Sequence, residues 1–385
     1  MVLKELKLIR PLLVFLILSI VSLFADMTYE GGRSISGPYL DLLGGTAVVA
    51  GGVSLGDFLG YLVRGVSGSL LSRYRSSLFY WSMIFFGYFI NLIAIPLLAF
   101  AGYWDTAFIL LVLERIGKGL RAPARDIVLG EVAGGIGVGK AYGIHEVLDQ
   151  IGAVAGPLLV AWAASIHGIR WGFLVTSIPA GVALILLLGA YLLYPSIKEA
   201  TVETRSFTIR GTPRDTIMLA SAIGLSFVLA PHWILGSYYY SIRGASIASI
   251  GGLYSMAMLV DALSAMVFGV LFDKYPLKSL AILVVGAFTA GLLFLYIPQL
   301  PLPYALAWGI FMGLYESIGR AGIAKYTPIG SRAQGFAILG FSSAVGMVAS
   351  GLQWSILYDA LGQNLLLVQF VESLVLLLLL YRVLK

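Results

Sequence analysis

The reading of this chain turns on Ser22–Tyr39, SLFADMTYEGGRSISGPY. The apolar run Leu12–Phe24 that leads into it has the makings of half a membrane-spanning helix. Asp26, Glu30 and Arg33 then arrive where lipid depth is expected. A charge at the bilayer centre costs roughly 2.5–3.5 kcal/mol on insertion scales, so three in eight residues need a reason. Asp26 and Glu30 are spaced i, i+4, and Glu30 and Arg33 i, i+3, which sets all three on one side of a continuous helix. That side is expected to face a watery cavity, and the cavity to be the working part of the protein.

The rest of the chain supplies the membrane. Its 385 residues are 59% hydrophobic and only 11% charged, with a mean hydropathy of +0.94, whereas soluble domains carry about 25% charged residues. Apolar runs of about 20 residues recur throughout, the mark of an all-α polytopic membrane protein. Alternating strands that would suggest a β-barrel are lacking. Twelve transmembrane helices are expected, near 11–41, 46–72, 78–101, 105–123, 140–166, 169–195, 215–241, 247–273, 277–297, 302–325, 333–358 and 363–384. Lys4, Lys7 and Arg10 precede the first run, but no small-residue cleavage site follows, so it reads as a retained helix.

With this topology the basic residues fall on one side, among them Arg73, Arg75, Lys118, Arg121, Arg125, Lys140, Lys198, Lys274 and Arg332. Only Arg170 and Arg243 fall in loops of the other side. The positive-inside rule then puts both termini in the cytoplasm, with the chain in the plasma membrane. The net charge of +6 reflects this topology and not a nucleic-acid partner. The absence of cysteine excludes disulfides, thiol catalysis and Cys-based metal sites. No phosphate-binding loop is present; Gly134–Gly139 is glycine-rich but reads as a flexible connector. Neither a cofactor nor a metal is expected.

Three short motifs recur in the same order. Gly68–Arg73 ends the second span and Gly269–Lys274 the eighth. Glu114–Lys118 lies in the fourth and Glu316–Arg320 in the tenth. Lys140–Ile144 opens the fifth and Arg332–Phe336 the eleventh. A duplication follows, with an N-terminal six-helix bundle at 1–194, a cytoplasmic linker at 195–214 and a C-terminal six-helix bundle at 215–385.

On these residues the chain resembles the major facilitator superfamily over essentially its whole length. Gly269, Asp273, Lys274 and Lys278 match the family's loop pattern after the eighth span, with Pro276 in place of the second glycine. The first copy keeps Gly68 and Arg73 but has Ser72 for the acid. Leu111, Arg115 and Gly119 match the pattern of the fourth span. Gly152, Gly156 and Pro157 match the start of the glycine signature of family exporters, without its two later glycines. The resemblance implies two pseudo-symmetric bundles, alternating access, a monomer, and an inner gate to which Gly68, Arg73, Asp273 and Lys274 belong.

The candidate proton and substrate residues are Asp26, Glu30, Arg33, Asp57, Tyr61, Glu114, Arg115 and His232. Intramembrane acids mark functional sites by default, although Glu114–Arg115 and Asp57–Arg64 also read as ion pairs that hold helices together. Glu146 and Asp149 are expected to pair with bases of the other half as part of the inner gate, alongside Gly152, Gly156 and Pro157. Asp261 and Glu316 occupy related places in the second half, and Glu372 is peripheral. His232 reads as the only histidine at membrane depth, and Pro231 beside it predicts a kink. Tyr238, Tyr239 and Tyr240 read either as cavity lining or as an interfacial belt, with the belt favoured.

The expected function is secondary transport of a small organic solute, proton-coupled and directed outward, by a protein whose partners are its solute, protons and lipid. The alternatives are an importer or facilitator of an organic anion bound by Arg33, Arg64 and Arg115, a divalent-metal transporter using Asp26, Glu30, Asp57 and His232, and a non-transporting sensor or lipid-handling protein. An enzyme is not expected.

Overall fold

The computed structural model describes residues 2–133, 137–198 and 211–385. Most of the linker and part of the Gly134–Gly139 connector lie outside the described residues. Every regular element among them is helical. In chain order these are α1 (Val2–Leu42), α2 (47–73), α3 (Ser77–Leu97), α4 (Trp104–Ala133), α5 (Val138–His167), α6 (169–193), α7 (214–242), α8 (Ile247–Lys274), α9 (Pro276–Tyr296), α10 (301–326), α11 (Arg332–Leu361) and α12 (Leu365–Leu384). Nine stretches among the described residues are long and apolar enough to cross a membrane, and one of them, Ile329–Val383, contains both α11 and α12. The helices α4, rich in charge, and α10, broken into pieces, complete the twelve. The chain is an all-α, multi-pass membrane protein.

The turns recur as well as the motifs. After α1, Gly44 has φ 76°, its N–H donates to the Asp41 carbonyl, and Gly45 N–H donates to that of Leu40. After the end of α7, Gly244 has φ 87°, its N–H donates to Ser241, and Ala245 N–H donates to Tyr240. Thr46 and Ser246 then cap the next helices through their side-chain oxygens. Positive φ is the reason a glycine stands at each turn. The same device sits two hundred residues apart.

By internal contacts the chain forms two compact units. The first holds Met1–Arg33, Leu59–Gly102 and Thr106–Ser206. In it α5 lies hard against α1: a Cβ on Gly152 would collide with the Leu23 carbonyl, and one on Gly156 with that of Met27. Small residues at i, i+4 permit such an approach. Likewise α2 meets α4 at Gly60 and Gly119, and α3 meets α4 at Gly87 and Gly117.

The second unit holds Ser34–Phe58, Tyr103–Asp105 and Phe207–Lys385. Within it α7 is interrupted at 226–232, a full break where the sequence suggests a kink. Backbone freed at membrane depth must be satisfied by protein, and here side chains do so. Trp354 Nε1 donates to the Val228 carbonyl at 3.0 Å, Ser350 to Ala230 at 2.6 Å, Tyr304 to Pro231 at 2.7 Å, and Gln369 Nε2 to Leu229. Beyond the break, Tyr238, Tyr239 and Tyr240 are all buried. This corrects the interfacial-belt reading: all three face protein, Tyr239 and Tyr240 packing with Phe294, Tyr304 and Tyr358, and Tyr238 with Tyr239.

Candidate functional site

A buried cluster of charge occupies the first unit, built from α1, α3, α4 and α5. Asp26 on α1 is 5% exposed, and its Oδ1 accepts no hydrogen bond. It lies in the field of two acids, Asp149 and Glu30, and two bases, Lys118 and Arg121. Glu30, one turn on, is buried, with Arg33 Nη1 at 3.9 Å from its Oε1. Between them Tyr29 turns its ring to Lys118, whose Nζ stands 4.1 Å from the centroid, a cation–π contact.

The long helix α4 carries the basic side of the cluster. Glu114, Lys118, Arg121 and Arg125 are spaced i, i+4, i+7, i+11 and share one face. Arg121 is only 1% exposed; its guanidinium stacks 3.9 Å from the Tyr88 centroid, Nη2 donates to Asn91 Oδ1 at 3.4 Å, and Nε has no partner. Asn91 on α3 is the joint of the network. Its Nδ2 donates to Glu114 Oε1 at 2.7 Å and to the Glu114 carbonyl at 3.1 Å. The Glu114–Arg115 ion pair considered from the sequence is present, with Arg115 Nε at 2.9 Å from Oε2.

Beyond the expected end of the fourth span, Asp126 receives Arg125 at 2.7 Å and Arg64 at 3.2 Å. Burial opposes its ionisation, but Arg125 and Arg64 outweigh it and hold the carboxyl below the usual carboxylate range. Arg64 thus contacts α4 in a way the Asp57–Arg64 reading did not anticipate.

On α5, Asp149 accepts from Ser22 of α1, and His145 contacts Ser19. Asp149 therefore lies among the charges of its own unit: Arg125, Arg121 and Lys118 all act on it. Glu146 is exposed. Gly152, Gly156 and Pro157 form the stretch of α5 that presses on α1, beside Asp26.

In the second unit His232 caps the resumed half of α7 and places Nε2 3.1 Å from the Gly51 carbonyl, while Trp233 Nε1 donates to Ser34 O at 3.1 Å. Ser241 donates to Asp41 at 2.8 Å. Gly51 and Gly351 pack backbone to backbone, and Gly37 fits against Ile234 and Ser237. Asp57 is half-buried on α2 in this unit, and Tyr61, half-buried, follows on the same helix in the first. Asp261 is buried on α8. Glu316 lies in a π-helical turn, Tyr315–Gly319, a feature frequent at functional sites. Glu372 accepts from Gln353 at 3.1 Å.

Of the gate residues, Arg73 is exposed beside Tyr74, with Gly68 unencumbered one turn and a half before it. Asp273 is exposed, as is Lys274, whose Nζ stands over Tyr275.

Of the residues singled out from the sequence, Asp26, Glu30, Arg33, Glu114 and Arg115 come together in the first unit. The same cluster contains Asn91, Tyr88, Lys118, Arg121 and His145, which the sequence reading does not single out. Lys118, Arg121 and Arg125 read from the sequence as cytoplasmic-side residues near the end of the fourth span, but α4 runs on to Ala133 and Arg121 is buried. Their i, i+4, i+7, i+11 spacing with Glu114 was the available signal. His145 is buried within α5, whereas His232 is half-buried.

The profile of the Major Facilitator Superfamily matches residues 13–308. An uncharacterized protein of Mycobacterium tuberculosis (strain ATCC 25618 / H37Rv) is 32% identical over 362 residues, covering 87% of this chain and 83% of the relative. An uncharacterized MFS-type transporter of Methanocaldococcus jannaschii is 25% identical over 361 residues, covering 88% of each. Among solved structures, a POT peptide transporter superposes with a TM-score of 0.75 at 17% identity, covering 96% of this chain and 94% of that one. The nucleoside transporter NupG does so with a TM-score of 0.75 at 14% identity, covering 97% and 99%. At these identities the two structures speak to the fold alone.

Proposed function

Because the chain belongs to the major facilitator superfamily, and is a secondary transporter and not an enzyme, we propose that it exports a small organic solute in exchange for protons. The observation that carries this reading is Asp26. It is a buried carboxyl with an unpartnered oxygen, set on α1 between acids and bases and pressed by α5. A group so placed can gain or lose a proton without breaking a hydrogen bond at Oδ1. Its electrostatic surroundings change whenever α1 and α5 move relative to α4, which couples the proton to alternating access.

Glu30 and Arg33 adjust the site from the next turn, and Asn91 ties it to Glu114 and Arg115. Buried acids suit a cationic or apolar solute. The Gly152, Gly156, Pro157 pattern supports export. The two six-helix bundles, 1–194 and 215–385, with cytoplasmic termini in the plasma membrane, complete the proposal. Gly68, Arg73, Glu146, Asp273 and Lys274 are its inner-gate residues.

The experiment is a ligand-stabilisation screen of the purified protein at two pH values, followed by pH-gradient-driven flux of the stabilising compound in proteoliposomes. Asp26→Asn and Glu30→Gln are expected to lose gradient-driven flux while remaining folded. Undiminished flux in both, singly and together, would refute the assignment. A second reading, transport of an organic anion, is favoured by Arg121, whose buried Nε has no partner. It expects thermal stabilisation by an organic anion that disappears in Arg115→Ala and Arg121→Ala.

A further inference from the structure

We propose that Asp26, Asp149 and His145 form a hydrated proton pathway along the α1–α5 interface, leading from the charged cluster toward the N-terminal ends of both helices. This rests on the proton-coupled reading of Asp26.

The pathway is visible as two facing stripes. On α1, Ser19, Ser22 and Asp26 are spaced i, i+3, i+7; on α5, His145, Asp149 and Gly152 are spaced i, i+4, i+7. The stripes run in register. Ser19 Oγ lies 3.1 Å from His145 Nδ1, Ser22 donates to Asp149, and a Cβ on Gly152 would sit 3.1 Å from Asp26 Cβ. Seven residues of helix span about 10 Å.

Along that length three buried atoms have no hydrogen-bond partner: Asp26 Oδ1, Asp149 Oδ1 and His145 Nε2. His145 Nε2 is 3.5 Å from Asp149 Oδ2, beyond good hydrogen-bond reach. Buried polar atoms are nearly always satisfied, and an orphan in a native protein calls for bound water or a role. Three on one seam, each next to a titratable neighbour, fit a chain of water molecules better than dry packing, which apolar side chains would fill at no such cost.

The groups that face the pathway come from three helices. Lys118, Arg121 and Arg125 act from α4, with Asp126 beside them; Glu30 acts from α1 and Glu146 from α5.

In each transfer one O–H or N–H bond breaks as the next forms. The Asp26 proton passes through water to Asp149 and from Asp149 to His145 Nε2, while Nδ1–H stays on Ser19 Oγ. The imidazolium then gives its Nε2 proton to water nearer the helix ends, which returns His145 to its neutral form and leaves Asp26 as the carboxylate that takes up the next proton.

The test is infrared spectroscopy of the full chain in nanodiscs, following the C=O band of protonated carboxyl groups and its shift on transfer to D2O. Wild type is expected to show a band that Asp26→Asn removes. His145→Gln should keep the band but slow its deuterium exchange by about a hundredfold, the low side of what a positioned acid or base contributes. Ser19→Ala, which leaves the imidazole in place, should slow it to a smaller extent and decides the matter if His145→Gln does not fold. Wild-type exchange rates in the folded variants would overturn the pathway and leave the Asp26 assignment standing. A band that survives Asp26→Asn would overturn that assignment, and the pathway with it.

Discussion

Asn91 has no charge, yet it joins the acidic and basic parts of the cluster, and its removal can be worked through in numbers. Replacement by Leu fills a similar volume and deletes three hydrogen bonds. One is charge-assisted, to Glu114 Oε1 at 2.7 Å, worth about 1.5–3 kcal/mol. The bond to the Glu114 carbonyl at 3.1 Å adds about 1 kcal/mol. The long contact from Arg121 at 3.4 Å adds a few tenths at most. Burying the leucine returns on the order of 1–2 kcal/mol. The net loss for Asn91→Leu is therefore about 2 kcal/mol.

A double-mutant cycle with Glu114→Ala, which removes the acceptor that a glutamine would keep, isolates the pair, because it cancels the packing change common to both arms. The coupling expected from unfolding of the purified protein in mixed micelles is about 1.5–3 kcal/mol. A coupling below about 0.5 kcal/mol, within the error of additivity for independent sites, would refute the reasoning that Asn91 holds Glu114 in place.

Three other outcomes follow from the same geometry. Gly156→Ala puts a methyl group against the Met27 carbonyl and should cost about 1–3 kcal/mol of stability by overpacking, read as a lower thermal midpoint with reduced flux; Gly181→Ala, where nothing lies near, serves as the control. Tyr304→Phe leaves the Pro231 carbonyl at the break of α7 without its donor and should cost about 1–3 kcal/mol, measured by the same unfolding assay. The Asp126 carboxyl ionises below its ordinary range, so the stability it lends is present above the unfolded-state value, about 3.9, and is lost as the pH falls through the folded one. Asp126→Asn should accordingly lose less stability than wild type between pH 5 and the acid limit, at about 3, in a thermal-midpoint titration.

The membrane architecture was legible because it rests on composition and period, which survive any detail of packing. Ser22–Tyr39 gave away the site for a related reason: charge on an apolar helix is costly wherever it stands, so its presence is informative before its partners are known. What the sequence hid depends on where a helix ends. Arg121 reads as a residue of the cytoplasmic span end because basic residues gather there, but α4 continues to Ala133 and Arg121 is buried. Asn91 and Tyr88 carry no charge, and nothing in their spacing sets them apart from other polar residues of an apolar helix. His145 stands two turns into α5, where a solvated face and a buried one look alike; Ser19 across the interface decides between them. The tyrosine run was misread because belt and core tyrosines share a composition, and the neighbours that bury it, Phe294, Tyr304 and Tyr358, come from distant spans.

The central claim is that Asp26 carries the proton that drives transport. It is tested most directly by flux of the stabilising compound into proteoliposomes under an imposed pH gradient, compared with exchange of the same compound at equal pH on both sides. The account predicts that Asp26→Asn retains exchange but no longer accumulates the compound against its gradient. Accumulation at the wild-type level in Asp26→Asn would contradict it.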